Sequence, residues 1–482
     1  MGLLGILLGL ALLIGLAYRG WSVLLLAPAA AMVAALLSRE PLLAHWTQTF
    51  MVAAGGFVAQ FFPLFLLGAL FGKLMEDSGS VAAIARWFTE RLGVRRAVLA
   101  VVLAGALVTY GGVSLFVAIF VIVPMGQALF ASAGIPNRLL PAAVALGSMT
   151  FTMSAMPGTP AIQNAIPMPF FGTTAFAAPG LGLIASAIML GFGLWWLARA
   201  ERAARSAGET ALAAPLQTPA LDQGLVRERS VASREFDPAE TGRGHRHDRQ
   251  PPLAVAVAPL AVVVLVNLTM SLLVLPRLDT AFLAEPRWGG VTLAAVAGVW
   301  SVIVALLAAI VTLLLLNRGR LPDLRATMDA GANASVLPIL SVASLVGFGA
   351  VVAALPAFAV VRDAVLGVGN NPLVTLAIAT NTLAALTGSA SGGLTIALDA
   401  LGADLLKMAA TEGIDPALMH RVAVIGAGTL DSLPHNGAVV TLLALCGATH
   451  RESYRDIVVA CIVGPIIALV VVIGLGTRFG SF

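Results

Sequence analysis

The sequence predicts an all-α polytopic membrane protein made of two inverted repeats, each with five transmembrane helices and one re-entrant hairpin. Three observations lead there. First, 59% of the 482 residues are hydrophobic and only 11% are charged. The mean hydropathy of +0.96 exceeds what a soluble core can absorb. Second, apolar runs break at matched landmarks in the two halves. Gly111 and Gly388, Ser114 and Ser391, and Pro157 and Pro434 are each separated by 277 positions, the mark of an internal duplication. Third, the basic residues gather in short loops, where they report topology.

A span needs about 20 apolar residues. The candidates are 2–18, 21–38, 50–75, 139–166 (interrupted), 175–198, 253–275, 290–316, 334–358, 417–446 (interrupted) and 455–476. Residues 97–130 and 372–408 differ, because their Gly/Ser breaks leave arms of about 11 to 16 residues, too short to cross alone. They read as re-entrant hairpins, since irregular backbone at membrane depth is tolerated where it lines a cavity. With both hairpins returning to the side they entered from, four basic clusters share one side: Arg86 to Arg96, Arg199 to Arg205, Arg318 to Arg325, and Arg451 with Arg455. The first hairpin then opens to the cytoplasm and the second to the outside. An odd number of spans per half inverts the halves. They cover 1–198 and 253–482, joined by a polar stretch, 199–252, that reads as a disordered cytoplasmic linker. The amino terminus begins with an apolar helix and lacks a basic n-region, so it reads as the first span.

Several function classes fall away. The formal charge of +4 is dispersed in loops, which gives no nucleic-acid footprint. Cys446 and Cys461 lie in or beside apolar segments and suit buried thiols, with no disulfide framework. His245 and His247 read as solvated linker, so no metal site is expected. Gly68-Ala69-Leu70-Phe71-Gly72-Lys73 has the wrong spacing for a phosphate-binding loop, which excludes ATP-driven transport within this chain. No cofactor signature is present.

The candidate site lies at the breaks. Each glycine-rich tip exposes backbone N–H groups, and the arm after it presents a helix N-terminus, an arrangement that attracts an anion such as a carboxylate. Gly111, Gly112 and Ser114 form the first tip, and Ser389, Ser391 and Gly392 the second. Close helix packing would explain one such tip but not two at matched positions. Proline frees backbone groups in the broken spans. Polar residues collect there: Thr159 and Asn164 in one half, Ser432, His435 and Asn436 in the other. Asp431 is an acid inside a span, a functional-site hypothesis by default. It is expected to carry a coupling proton, with His435 donating to a carboxylate or titrating itself. Asp404 and Lys407 suit a helical surface pair, Asp399 lies deeper without an assigned role, and Asp77 or Ser78 is expected to cap the helix that follows.

At these residues the chain resembles the gluconate permease (GntP) family of the ion transporter superfamily. The likeness rests on Gly72-Lys73-Leu74-Met75-Glu76-Asp77-Ser78-Gly79, the Tyr110-Gly111-Gly112 tip, the Ser389-Ala390-Ser391-Gly392-Gly393 tip and Asp431-Ser432-Leu433-Pro434-His435-Asn436-Gly437. It implies secondary uptake of small hydroxy-carboxylates across the bacterial inner membrane, usually with protons and alternatively with sodium. It also implies an elevator-type moving domain and a homodimer. The Ser-Leu-Pro-His-Asn-Gly segment is more similar to the 3-hydroxybutyrate and short-chain carboxylate branch than to gluconate carriers. The expectation is therefore a symporter of a 3-hydroxybutyrate- or gluconate-like monocarboxylate. An intramembrane serine hydrolase pairing a hairpin serine with His435 is the alternative, and a passive channel is a third reading.

Overall fold

The computed structural model describes residues 2–17, 19, 21–209, 227, 236–240, 242–244, 250–367 and 371–482. All regular structure among them is helical. Seven helices are long and apolar enough to cross a membrane, and an eighth joins them if Ser80–Leu92 and Val94–Tyr110, bent by 104°, count as one span. Their outward faces stay apolar: Leu43, Leu265 and Val470 are each more than half exposed. In a polytopic protein such a surface faces lipid.

The two interrupted segments break where proline and glycine demand it. Leu140–Ser148 stops before Phe151–Ser154, and the chain resumes as Ile162–Ala165 after the Pro157-Gly158-Thr159-Pro160 turn. Pro416–Thr429 stops before Gly437–Leu445. Other elements depart from expectation. Gly2–Ala17 and Val23–Leu37 have 16 and 15 residues, shorter than a typical perpendicular span. The helix expected over 334–358 runs from Leu324 to Ala354, because the Asp323 side chain caps it by accepting the Ala326 N–H at 2.9 Å.

Both hairpins form helix–turn–helix pairs whose arms pack on each other: Ala97–Tyr110 with Leu115–Ala133, and Pro372–Thr387 with Ala390–Thr411. The return arms are longer than the sequence suggested, 19 and 22 residues. Arm length therefore no longer separates a dip from a crossing. Leu115–Ala133 is itself one of the seven helices long and apolar enough to cross, and both tips end inside the protein, with Ser114, Ser389 and Ser391 all buried. Close approach is built in. A Cβ on Gly393 would lie 2.3 Å from the Ala384 nitrogen, and one on Gly147 would lie 2.3 Å from the Val102 carbonyl oxygen.

The long helices pack in matched pairs. Leu42–Asp77 lies against Leu324–Ala354, and Pro179–Ser206 against His450–Phe479. Val23–Leu37 packs on Leu324–Ala354 as Leu293–Leu316 packs on Leu42–Asp77. Within the 199–252 stretch, residues up to Ser206 continue the preceding helix. Phe236 is fully buried and the Asp237 N–H donates to the Ala334 carbonyl at 2.8 Å, so this part lies against the helical body. His245 and His247 lie outside the described residues.

Candidate functional site

Each hairpin tip is tied to the broken helix of its own half. In the first half the Tyr110 hydroxyl donates to the Pro157 carbonyl at 2.9 Å, and the Thr109 hydroxyl to Thr152 Oγ1 at 3.1 Å. Gly111 and Gly112 turn the chain. Gly112 has φ +96°, and a Cβ there would meet Pro160 Cγ at 2.7 Å, so only glycine fits against the break. Ser114 stands at the N-cap of Leu115–Ala133, but its side chain makes no capping bond. A cavity of about 20 Å³, lined by Gly112, Val113, Pro160, Ile162, Leu64 and Leu306, lies beside this tip, enough for one water.

In the second half the network is denser. Ser389 caps Ala390–Thr411 by accepting the Gly392 N–H at 3.2 Å, and its hydroxyl lies 3.3 Å from Ser391 Oγ. Asp431 Oδ1 accepts from the Ala390 N–H at 3.0 Å and from Asn436 Nδ2 at 2.8 Å. Asn436 Nδ2 also reaches the Gly388 carbonyl at 3.0 Å, while its Oδ1 caps Gly437–Leu445 through the Ala438 N–H at 2.9 Å. His435 Nε2 lies 3.1 Å from the Ala385 carbonyl, and its ring covers Gly388, whose φ is +65°. The Ser432 carbonyl accepts the Tyr454 hydroxyl at 3.2 Å. Asp431, His435, Asn436, Ser389, Ser391 and Gly392 are thus brought together.

Asn164 stands elsewhere. Its Nδ2 donates to the Thr159 and Ala175 carbonyls at 3.0 and 3.1 Å, folding the first break back on itself. Its Oδ1 faces His420 Nε2 at 3.1 Å and Arg421 Nη1 at 3.5 Å. Thr159 is fully buried, and its hydroxyl accepts the Ala161 N–H at 3.4 Å within the same turn. The two breaks approach each other here, since a Cβ on Gly428 would lie 2.8 Å from Ser154 Cβ.

With this geometry in view, comparison with known proteins places the chain. The sequence profile of the GntP family permeases matches residues 1–175. The uncharacterized transporter YxjC of Bacillus subtilis (strain 168) is 40% identical over 464 residues, 95% of each chain. The chain belongs to the GntP permease family. This GntP-family permease is accordingly a multi-pass membrane transporter.

Sequence reasoning passed over His420 and Arg421 of the permease, both fully buried. The signal was available, because an arginine within the 417–446 apolar run marks a functional position by its cost. The expected cap by Asp77 or Ser78 is not formed. Gly79 is the N-cap residue of Ser80–Leu92. Asp77 instead joins a buried ion cluster: Lys73 Nζ lies 3.0 Å from Asp77 Oδ1 and 3.2 Å from Glu76 Oε2, and Thr327 donates to Asp77 Oδ2 at 2.7 Å. Lys73 reaches both carboxylates from one helical turn away, which leaves neither free to cap. Asp404 and Lys407 form the expected surface pair at 3.8 Å.

Proposed function

We propose that this permease takes up a small hydroxy-monocarboxylate of the 3-hydroxybutyrate or gluconate type across the bacterial inner membrane by symport with protons. The observation that carries the reading is Asp431. A buried carboxylate sits where the second tip meets the second break, held by one backbone N–H and one amide. Protonating such a group rearranges the hydrogen bonds of the site itself, which is what coupling requires. The substrate would lie between tips and breaks, its contacts drawn from Gly111, Gly112, Ser114, Thr159, Asn164, Ser389, Ser391, Gly392, Ser432, His435 and Asn436.

The 277-residue spacing and the paired packing of matching helices support two inverted repeats, 1–198 and 253–482. In such an arrangement the hairpins and broken helices move as one body against the long helices, an elevator. The hydroxyls of Ser389 and Ser391 are engaged with each other and with the Gly392 N–H, and His435 Nε2 with a carbonyl. These bonds support a binding role over a serine–histidine hydrolase. The deciding experiment is uptake by proteoliposomes offered a panel of short hydroxy acids under imposed pH or sodium gradients. Concentrative uptake driven by an inward proton gradient is expected. Accumulation driven by sodium alone would replace the coupling ion, and equilibration without accumulation would replace the symporter with a channel.

A further inference from the structure

We propose that Arg421 is the positive charge that receives the substrate's carboxylate, with the amide of Gln163, the chain neighbour of the Asn164 that Arg421 contacts, reading the substrate's hydroxyl. This deepens the transport reading and rests on it. The guanidinium is fully buried, six positions into the helix that leads to the second break. Its hydrogen bonds end on neutral acceptors. Nε and Nη2 donate to the Ala177 carbonyl at 3.1 and 2.7 Å, and Nη1 reaches the Ser154 carbonyl at 3.4 Å and Asn164 Oδ1 at 3.5 Å. Among the described residues no carboxylate stands within ion-pair distance of it. Carbonyl dipoles compensate a full charge only in part, and an arginine inside a membrane protein marks a place where an anion is handled.

The geometry of the four bonds says where that anion would go. The Ala177 carbonyl anchors one edge of the planar fork with short bonds. The Nη1 edge holds only long contacts to neutral oxygens, which a carboxylate outcompetes through charge-assisted hydrogen bonds. The two oxygens on that edge belong to Ser154 and Asn164, one on each side of the first break. The charge therefore stands at the opening in the broken helix, where Gly428 of its own helix also touches Ser154.

Gln163 supplies the second, independent observation. It lies in the first turn after the break, next to Asn164, and is only 2% exposed, yet neither Nε2 nor Oε1 has a hydrogen-bond partner. A buried amide unsatisfied at both ends is costly and rare. A hydroxyl group both donates and accepts, so a hydroxy acid anchored by its carboxylate on Arg421 offers the complement this amide lacks.

The test is equilibrium binding of 3-hydroxybutyrate and of butyrate to the purified full-length protein in detergent, with thermal unfolding as the check of folding. Arg421→Gln is expected to weaken both acids by about 100-fold, and Arg421→Lys by about tenfold, since charge is kept but the fork is lost. Gln163→Leu is expected to reduce the preference for 3-hydroxybutyrate over butyrate by about tenfold. Wild-type affinity in folded Arg421→Gln overturns the assignment. Should that variant fail to fold, unchanged affinity in Arg421→Lys overturns it. Unaltered preference in Gln163→Leu removes the amide's role. A wild-type protein that binds no short carboxylate sinks the transport reading together with this one, whereas binding that is indifferent to Arg421 sinks only this one.

Discussion

Asp431 Oδ1 accepts the backbone N–H of Ala390 at 3.0 Å, so the carboxylate of a broken helix lies against the first residue of a hairpin arm. In the proposed coupling, that contact gives the acid two roles. Its negative charge is stabilised by the N-terminus of a 22-residue helix. Its protonation weakens the bond that joins tip to break.

Asp431→Asn separates those roles. The amide oxygen of asparagine can still accept from Ala390 and from Asn436, so the variant is expected to fold with little change in unfolding temperature. What it loses is the proton. Accumulation driven by an imposed pH gradient should vanish, while counterflow exchange of labelled for unlabelled substrate persists. Proteoliposome uptake measured with and without a gradient checks this, and normal acid-driven accumulation by the variant would remove Asp431 from coupling.

The buried Lys73–Glu76–Asp77 cluster calls for a stability test. Its lysine faces two carboxylates at 3.2 and 3.0 Å. Lys73→Met keeps the apolar stem but strands buried negative charge, a change that costs about 3–5 kcal/mol. Thr327→Val removes only the hydroxyl that donates to Asp77, with an expected cost of about 1–2 kcal/mol. Thermal or denaturant unfolding of the detergent-solubilised protein should rank them in that order. Equal, small effects would show the cluster to be hydrated and unimportant to folding.

Gly393 tests the second hairpin. A Cβ there would run into the backbone of the opposite arm at Ala384, so Gly393→Ala must separate the arms and should destabilise the protein by about 1–3 kcal/mol. Gly474 is the control. It lies in the Gly464–Phe479 helix with nothing within 4 Å of its virtual Cβ, and alanine there should be neutral or stabilising by up to about 1 kcal/mol. A Gly393→Ala protein as stable as the control would show that the arms do not pack as described.

What could be read in the sequence were residues whose type conflicts with their surroundings. Pro157, Gly388 and Asp431 stand out within apolar runs, and each marks a real break or network. What could not be read were partnerships across long separations. Nothing local says that Asn164 answers to Arg421 across 257 positions, or that Phe236, in a polar stretch, is buried beside the helical body. Local rules also lost to tertiary ones at Asp77. It has the chemistry of a cap, but Lys73 on its own helix and Thr327 on another claim both its oxygens. The second return arm is longer than its apolar pattern because Ala390, Ser391, Gly392 and Gly393, which read as an irregular tip, already belong to the helix that Ser389 caps.

The moving-body reading makes its own prediction at the tips. Tyr110 bonds to Pro157 and Ala390 to Asp431, so each tip is fastened to its own break, and the two breaks touch through Ser154 and Gly428. Elements fastened in this way should move together. Single cysteines replacing Ser114 and Ser391, in a background lacking Cys446 and Cys461, are expected to change reactivity toward a membrane-impermeant maleimide together when substrate is added. Tyr110→Phe should loosen only the first tip, at a cost of about 1 kcal/mol, and change Ser114→Cys labelling more than Ser391→Cys labelling. Labelling at both tips that stays fixed across all substrate concentrations would leave the hairpins as static walls, and transport would then have to proceed by a local gate.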